Sequence, residues 1–184
     1  MVEKDSYLRL INLRDEDGRT LIHFAAKTCF AEGVRLLLEK SSSIALEHDM
    51  KGRFPIHVAA KRGHVMVVKE FCEQKMLSLR GLTNNEGQNI LHVAAKHGHE
   101  HVVKYILRMT KLDVNQKDKN GNTPLHLSAQ NMHYSVVLSL ILDKRIMINA
   151  VNSEGLTARD LVLLKREIPR GVYSITFDVI FPQS

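Results

Sequence analysis

A short pattern of residues returns at nearly constant spacing along this 184-residue chain, and it limits the folds that the chain can adopt. Its clearest copy is Gly-Asn-Thr-Pro-Leu-His at residues 121–126. Five copies are in phase, with their glycines 34 or 35 residues apart, at Gly18, Gly52, Gly87, Gly121 and Gly155. Units of this length stack one on the next, so the core runs continuously between neighbours and has no single centre.

Each copy opens with residues that favour a tight turn followed by a helix. An Asp or Asn stands three positions before each glycine, as is typical of a type I turn, at Asp15, Asp49, Asn84, Asp118 and Asn152. Thr20, Thr123 and Thr157 can cap free helical N–H groups, and Pro55 and Pro124 suit the first helical position. Asn89 can also cap, but Phe54 cannot, so we predict the weakest cap in the second copy.

The rest of each copy predicts two helices joined by a tight corner. Small pairs such as Ala59-Ala60 allow close packing of the first helices, and valine pairs such as Val67-Val68 lie on an apolar stripe of the second. Gly63-His64 and Gly98-His99 mark the corner, where glycine permits a positive φ. Cys29 and Met132 replace that glycine, so we expect strain in repeats one and four, with Asn131 taking the positive φ in repeat four.

Together these features resemble the ankyrin repeat. The resemblance implies an all-α solenoid of helix-turn-helix units with hairpin-like loops, about four full repeats and a partial C-terminal one. It also implies that the histidines of the motif, His23, His57, His92 and His126, hydrogen-bond across the turn. We expect a repeat domain at 15–164, with repeats starting near residues 15, 49, 84, 118 and 152.

The two ends of the chain depart from the repeat. Residues 1–14 predict an N-terminal capping helix or the end of a preceding repeat. Residues 165–184 are a divergent tail, in which apolar and polar residues alternate from 172 to 181 as in a strand.

Composition excludes some functions and leaves others open. The net charge of +6 permits attraction to nucleic acid, anionic lipid or an acidic protein surface. The chain has no Trp, and its few Tyr and Phe are not interleaved with basic residues as in single-strand binders. No segment reaches the roughly 18 apolar residues of a membrane span. The N-terminus lacks a secretory signal, so we expect a cytoplasmic protein in which Cys29 and Cys72 are buried thiols.

Ten histidines raise the question of a metal site, most of all near His97, His99 and His101. Seven of the ten occupy repeat positions, and Gly98 interrupts the helix that would align the others, so we expect no metal. No phosphate-binding loop or nucleophile motif is present. We therefore expect no catalysis, no cofactor and no small-molecule substrate.

The repeat phase predicts a binding surface instead. In ankyrin arrays the hairpin tips and the exposed side of the first helices share one concave face. Here that face is rich in Lys and Arg, and its acidic residues are Glu16, Asp17 and Glu86. We predict a basic groove for an acidic protein segment; the alternative is a merely solvated surface. The candidate contact residues are Arg19, Lys27, Met50, Lys51, Arg53, Phe54, Lys61, Arg62, Glu86, Gln88, Lys96, His97, Lys119 and Asn122.

Several phrases, such as Gly-Gln-Asn-Ile-Leu-His-Val-Ala-Ala at residues 87–95, resemble the arrays of plant ankyrin-transmembrane proteins of the accelerated-cell-death and salt-tolerance type. That resemblance implies a role in defence or stress signalling at the cytoplasmic face of a membrane. The membrane helices and the Pro-Gly-Gly segment of those proteins are not in this sequence. Two alternatives stay open: an electrostatic adaptor to nucleic acid or anionic membrane, and a fragment that associates with full-length relatives through its end repeats.

Overall fold

The structure is a computed structural model in which residues 9–73, 79, 81–109 and 112–164 are described. Across these residues the chain forms helices joined by turns, which confirms the predicted all-α repeat solenoid. The helices are α1 (Leu21–Lys27), α2 (Ala31–Lys40), α3 (Pro55–Arg62), α4 (Val65–Glu73), α5 (Ile90–Lys96), α6 (Glu100–Met109), α7 (Pro124–Gln130), α8 (Tyr134–Ile141) and α9 (Ala158–Leu164), with a 3₁₀ helix at Ser42–Leu46. The predicted strand-like tail at 165–184 and residues 1–8 lie outside the described residues.

The helices form two layers, because each full repeat contributes its first helix to one layer and its second helix to the other. The first layer contains α1, α3, α5, α7 and α9, and each of these helices contacts the next. The second layer contains α2, α4, α6 and α8, which are also in contact in chain order. Each repeat is therefore stabilised by its neighbours, as expected for a solenoid.

The core lies where the layers and neighbouring repeats meet. In repeat two, Ala59 and Ala60 are fully buried on α3, and Val67, Val68 and Phe71 are fully buried on α4. Each fully buried aliphatic or aromatic side chain of this kind contributes about 1.5–3 kcal/mol to stability. The small pair on the first helix allows close approach, while the larger residues of the second helix fill the space beside it.

The hairpins begin with the predicted turns. In repeat two, Asp49 Oδ1 accepts hydrogen bonds from the N–H groups of Lys51 and Arg53, both at 2.9 Å, and the Gly52 N–H donates to the Asp49 carbonyl at 2.9 Å. Equivalent side-chain bonds occur at the other four turns. Gly52 has φ +67°, and the other motif glycines have φ between +72° and +76°. The recurring Asp or Asn and Gly thus build the same hairpin five times.

Successive hairpin tips are joined by backbone hydrogen bonds, which hold them side by side. The bonds run from Met50 N–H to the Asp17 carbonyl (3.0 Å), from Asn85 N–H to the Lys51 carbonyl (3.1 Å), from Lys119 N–H to the Glu86 carbonyl (3.0 Å), and from Ser153 N–H to the Asn120 carbonyl (3.0 Å). The tips therefore advance in register along one side of the molecule.

The helix starts depend on the residue before the first helical turn. The Thr20 hydroxyl lies 3.0 Å from His23 Nδ1, and that nitrogen accepts a hydrogen bond from the Thr20 N–H at 3.2 Å. Asn89 Oδ1 accepts a hydrogen bond from the His92 N–H at 3.0 Å. The Thr157 hydroxyl accepts from the Asp160 N–H at 3.2 Å, and Asp160 Oδ2 accepts from the Thr157 N–H at 2.8 Å. Phe54 has no side-chain hydrogen bond at this position, so repeat two lacks the polar cap, as predicted.

The motif histidines also reach forward to the next repeat. Three of the four rings donate from Nε2 to the carbonyl of the residue that follows the hairpin glycine of the next repeat. These bonds join His23 to Arg53 (3.0 Å), His92 to Asn122 (3.1 Å) and His126 to Leu156 (3.0 Å). The resemblance implied a bond across the turn; the structure adds a bond between repeats.

His57 is the exception in this forward series. Its ring is fully buried and its Nδ1 accepts from the Phe54 N–H at 3.2 Å. The Gln88 carbonyl is the equivalent acceptor in repeat three, but His57 Nε2 makes no hydrogen bond of normal geometry within the described residues. The spacing from Gly52 to Gly87 is the one interval of 35 residues, and the additional residue lies after Gly63. Repeat two therefore departs from its neighbours both in length and in this bond.

A second histidine series runs in the opposite direction. The corner histidines donate from Nε2 to the carbonyl of an equivalent residue in the last turn of the previous repeat's first helix. They join His64 to Lys27 (3.1 Å), His99 to Lys61 (2.8 Å) and His133 to Lys96 (3.2 Å). Because these carbonyls would otherwise lack a partner at a helix end, each bond satisfies a terminal group and fixes the spacing of two repeats.

The corners of repeats one and four are strained. Cys29 has φ +61° and Met132 has φ +60°, close to the +75° and +76° of Gly63 and Gly98. Strain at these two residues was expected, but the expectation for Asn131 was wrong, since its φ is −97°. Cys29 is exposed, so the expectation of a buried thiol at this position was also wrong. The corner geometry is the same in all four repeats, so whichever residue occupies the position must adopt the left-handed conformation.

Replacing Cys29 by Gly is expected to raise the free energy of unfolding by about 1 kcal/mol, because Gly removes the left-handed strain of an exposed residue. Chemical denaturation followed by circular dichroism measures this change. The opposite substitution, Gly63→Ala, is expected to destabilise the protein, since a Cβ there would lie 2.6 Å from His99 Nδ1. A less stable Cys29→Gly variant would contradict this account of the corner.

Candidate protein-binding face

The predicted contact residues gather around two depressions on the side of the molecule formed by the hairpins and the first helices. The first depression has a volume of about 240 Å³ and lies between repeats one and two. It is lined by six cationic side chains, with His23 and Val58 beside them: Arg19, Lys27, Lys51, Arg53, Lys61 and Arg62. The second, of about 340 Å³, lies along repeats three to five and includes Glu86, Gln88, Lys96, Lys119 and Asn122.

Two of the six cations in the first depression are already paired. Arg19 lies 2.6 Å from the Asp17 carboxylate and 3.9 Å from that of Asp15. Arg53 pairs with the buried Asp49 at 2.5 Å, and Asp49 has a lowered pKa because bonds from Arg53 outweigh the effect of burial. These arginines hold the turns together, so they contribute less free charge to the face than the sequence suggests.

The other four cations are not paired. Within the described part of the chain, Lys27, Lys51, Lys61 and Arg62 form no ion pair with a carboxylate, and all four are exposed. The pKa of Lys61 is lowered, first by partial burial and then by the nearby positive charges of Arg53 and other cations. The part of this shift that comes from the neighbouring cations indicates a positive potential at the site, which an anionic ligand would relieve.

The second depression differs in charge. It contains the carboxylates of Glu86, Asp118 and Glu154 together with Lys96 and Lys119. Lys96 pairs with Glu86 at 2.9 Å, so the predicted basic character does not extend through this half of the face. Sequence reasoning placed both lysines in one basic strip, and the ion pair with Glu86 removes Lys96 from it.

Gln88 and Asn122 are less available to a partner than the sequence analysis expects. Gln88 is 4% exposed and its Nε2 donates to Asp118 Oδ2 at 3.1 Å. Asn122 is 8% exposed and its Oδ1 accepts from Asn152 Nδ2 at 3.1 Å. Both side chains therefore join neighbouring hairpins, because their polar ends meet in the narrow space between repeats.

Three other candidate residues do not line either depression. Met50 is 72% exposed at a hairpin tip. Phe54 is half-buried against the His48 and His57 rings, with ring centroids 6.0 and 5.6 Å away. His97 is half-buried, with its Nδ1 2.9 Å from the Val93 carbonyl oxygen. Of the three, Met50 has the exposure that a contact residue requires.

Sequence reasoning missed the two aspartates that neutralise the face and the polar residues of the second depression. Asp15 and Asp49 each stand four residues before the arginine that they pair with, and this spacing was the available signal. Asn120 and Ser153 line the second depression but carry no charge that would single them out in the sequence. Their position follows from the hairpin register and not from their residue type.

The buried histidines are held neutral. Burial lowers the pKa of His57 and His92 to about 4, and it also lowers the pKa of His23 and His126. A neutral ring can accept at Nδ1 and donate at Nε2, as the forward series requires. No group of three potential metal ligands is found among the described residues.

The class of protein is now clear: the chain is a helical repeat solenoid whose hairpins and first helices form a shared face. Comparison with known families gives a match to ankyrin repeats (3 copies) at residues 4–78 and 75–152, and the chain belongs to the ankyrin-repeat family. Members of this family generally act as non-catalytic protein-interaction modules. The four motif histidines and the hairpin glycines are thus parts of its repeat architecture.

Individual relatives come from different settings. The chain is 38% identical over 161 residues to the protein ACCELERATED CELL DEATH 6 of Arabidopsis thaliana, covering 85% of this chain and 24% of that protein. It is 28% identical over 154 residues to the nuclear factor NF-kappa-B p105 subunit of Gallus gallus, covering 83% and 16%. It is 27% identical over 125 residues to Rabankyrin-5 of Mus musculus, covering 68% and 10%. The chain thus spans no more than about a quarter of the length of these relatives.

Within the part of the chain that the structure describes, none of the helices has the length and apolar character needed to cross a bilayer.

The buried histidines predict a loss of stability in mild acid. Their pKa values are lower in the folded than in the unfolded chain, so the unfolded chain binds more protons between pH 4 and 6.5. Stability is therefore complete above pH 6.5 and falls as the pH decreases. His57 and His92 are each expected to reduce it by about 2 kcal/mol at pH 5, as measured by urea denaturation across the range.

Two glutamine variants separate this effect from general acid sensitivity. His92→Gln removes one buried titrating group and is expected to flatten the dependence of stability on pH. His101→Gln changes an exposed histidine outside the repeat pattern and is expected to leave the dependence unchanged. Constant stability of the unmodified protein from pH 7 to 5 would show that the rings are not held neutral.

Proposed function

We propose that the first depression binds an acidic segment of a protein partner. The supporting observation is the set of four unpaired cations, Lys27, Lys51, Lys61 and Arg62, around a concave site of about 240 Å³. Such a site favours carboxylates because each new ion pair also relieves repulsion among the cations. Val58, which lines the same depression, provides an apolar contact for the partner's side chains.

The similarity to an Arabidopsis protein named for accelerated cell death supports a role in plant defence or stress signalling. In this proposal the module recruits a signalling protein at the cytoplasmic side of a membrane. Membrane attachment would come from other parts of a longer family member. The module itself supplies recognition, without catalysis and without a cofactor.

Nucleic acid and anionic membrane surfaces are the competing ligands for the same cations. Both present broad, repeated negative charge, whereas four of the unpaired cations described on this face cluster in repeats one and two, and Lys119 in repeat four lies in a depression that also contains Glu154. Arg19, Arg53 and Lys96, which would extend the strip, are paired with carboxylates. The limited extent of free charge favours a short acidic segment, since long polyanions gain affinity from many separate contacts.

Self-association through end repeats is supported by a different observation. Leu21 is 50% exposed and Phe24 is 40% exposed on α1. The residues equivalent to Leu21 in the next three repeats, Pro55, Ile90 and Pro124, are buried. Among the described residues, the first repeat therefore leaves apolar surface uncovered, as a repeat does when another unit can stack on it.

The double substitution Lys61→Glu and Arg62→Glu is expected to weaken the capture of a fluorescent Asp/Glu peptide by about tenfold or more. Both residues are exposed at the end of α3, so the fold is expected to be unaffected. Lys40→Glu with Lys144→Glu is the matched control, because it makes the same change in net charge at exposed residues outside both depressions.

Fluorescence anisotropy at near-physiological salt measures the binding. Equal affinity of the first double variant and the unmodified protein would contradict the proposed site. Tighter binding of a random-sequence oligonucleotide or of anionic vesicles than of the acidic peptide would instead favour the electrostatic adaptor.

A further inference from the structure

The face changes charge along the array at structurally equivalent positions. The residue after the hairpin glycine is Arg19, Arg53, Gln88, Asn122 and Leu156 in successive repeats. The residue nine positions after that glycine, near the end of the first helix, is Lys27, Lys61, Lys96 and Gln130. Because the histidine bonds and tip bonds keep the repeats in register, these sequences of residues are rows on one surface. Both rows begin with cations and end with uncharged residues.

Most of the charged side chains in the second depression are paired with, or hydrogen-bonded to, other groups of the protein. Glu86 pairs with Lys96 at 2.9 Å. Asp118 accepts from two backbone N–H groups of its turn and from Gln88 Nε2. Lys119 and Glu154 are exposed and unpaired within the described residues, and their charges offset each other.

What this end offers a ligand is hydrogen bonding. Asn120, Gln130 and Ser153 line the second depression and are exposed there. An Asn or Gln side chain both donates and accepts, and a serine hydroxyl does the same, so these groups suit peptide amides and hydroxyls. A carboxylate in the same place would meet Glu154 and the carboxylates of Glu86 and Asp118.

The two ends are far enough apart to act independently. Each repeat advances by about 10 Å, so the centres of the depressions are separated by about 25 Å. That distance exceeds the screening length of about 8 Å at physiological salt. It corresponds to about eight residues of extended chain. A single bound segment can therefore meet a cationic end and a neutral polar end at once.

We propose that the face selects an extended protein segment of asymmetric charge. An acidic block lies over repeats one and two, and uncharged polar residues lie over repeats three to five. This inference rests on the proposed function, because it assigns the acidic block to the first depression. The inference goes beyond the proposed function because it predicts that a uniformly acidic segment binds less tightly than a segment with acidic residues at one end.

Labelled synthetic peptides of about twelve residues test the proposal, a length sufficient to span both depressions. One peptide carries Asp and Glu in its first third and Ser, Asn and Gly in the rest, and a second has the reverse order. A third is acidic throughout. The better of the two asymmetric peptides is expected to bind the full chain about fivefold more tightly than the uniformly acidic peptide at near-physiological salt.

A double variant in the second depression provides the decisive comparison. Asn120→Lys and Glu154→Lys place cations at the third position of their hairpin turns, a position that Lys51 already occupies in repeat two. The turn therefore accepts lysine. In this variant the preference is expected to reverse, with the uniformly acidic peptide binding more tightly. Glu73→Lys with Asn149→Lys makes the same change in net charge at exposed residues outside both depressions, and this variant is expected to keep the original preference.

The outcomes separate this inference from the proposed function. If all acidic peptides bind equally well and the double variant changes nothing, the asymmetry is absent while the acidic site remains. If no acidic peptide binds, both proposals fail. If the uniformly acidic peptide binds the unmodified chain most tightly, net charge alone governs recognition and the inference is overturned.

Discussion

The hydrogen bonds that histidines make between repeats are the interaction on which the rest of the structure depends. In the forward series a buried ring connects the start of one first helix to the next hairpin. In the backward series a corner histidine connects a second helix to the end of the previous first helix. Since apolar packing has no direction, it cannot by itself fix the spacing of two stacked units. The directional bonds do so, and the hairpin tips consequently form one row.

The regular spacing of the repeats requires some residues to adopt unfavourable states. His57 and His92 must stay neutral in a nearly dry environment, and Cys29 and Met132 must adopt a conformation that favours glycine. Both costs are tolerated because each repeat shares its packing with neighbours. Repeat two shows how much variation the array accepts, since it has a residue more than the others, no polar cap at Phe54 and no forward bond from His57.

Much of this architecture is predictable from the sequence because it depends on local chemistry. The hairpins follow from Asp or Asn three residues before Gly, and the α1 to α9 order follows from periodicity and small residues. The pairing of charges is harder to predict. Arg53 is anchored by the buried Asp49, and Lys96 is neutralised by Glu86 ten residues earlier in the chain. These pairs depend on which way side chains leave a hairpin, and residue type alone does not specify it. The positive φ of Met132 is also hard to predict. The geometry of the corner places the left-handed residue at Met132, although Asn131 has the higher intrinsic preference for positive φ.

On this face, the repeated backbone stays nearly constant while the side chains that determine binding specificity vary. The backbone at the position after the hairpin glycine repeats almost unchanged, while its side chain changes from Arg in repeats one and two to an amide in repeats three and four. Specificity can therefore be altered one repeat at a time without disturbing the hydrogen bonds that hold the array together.

Nitrogen-15 NMR of the imidazole rings tests most directly whether histidines hold the repeats in register. At pH 7 the rings of His23 and His126 are expected to be neutral, with the proton on Nε2 and a scalar coupling through the hydrogen bond to the Arg53 or Leu156 carbonyl carbon. A proton on Nδ1, or rings that titrate near pH 6.5 as free histidine does, would contradict the account.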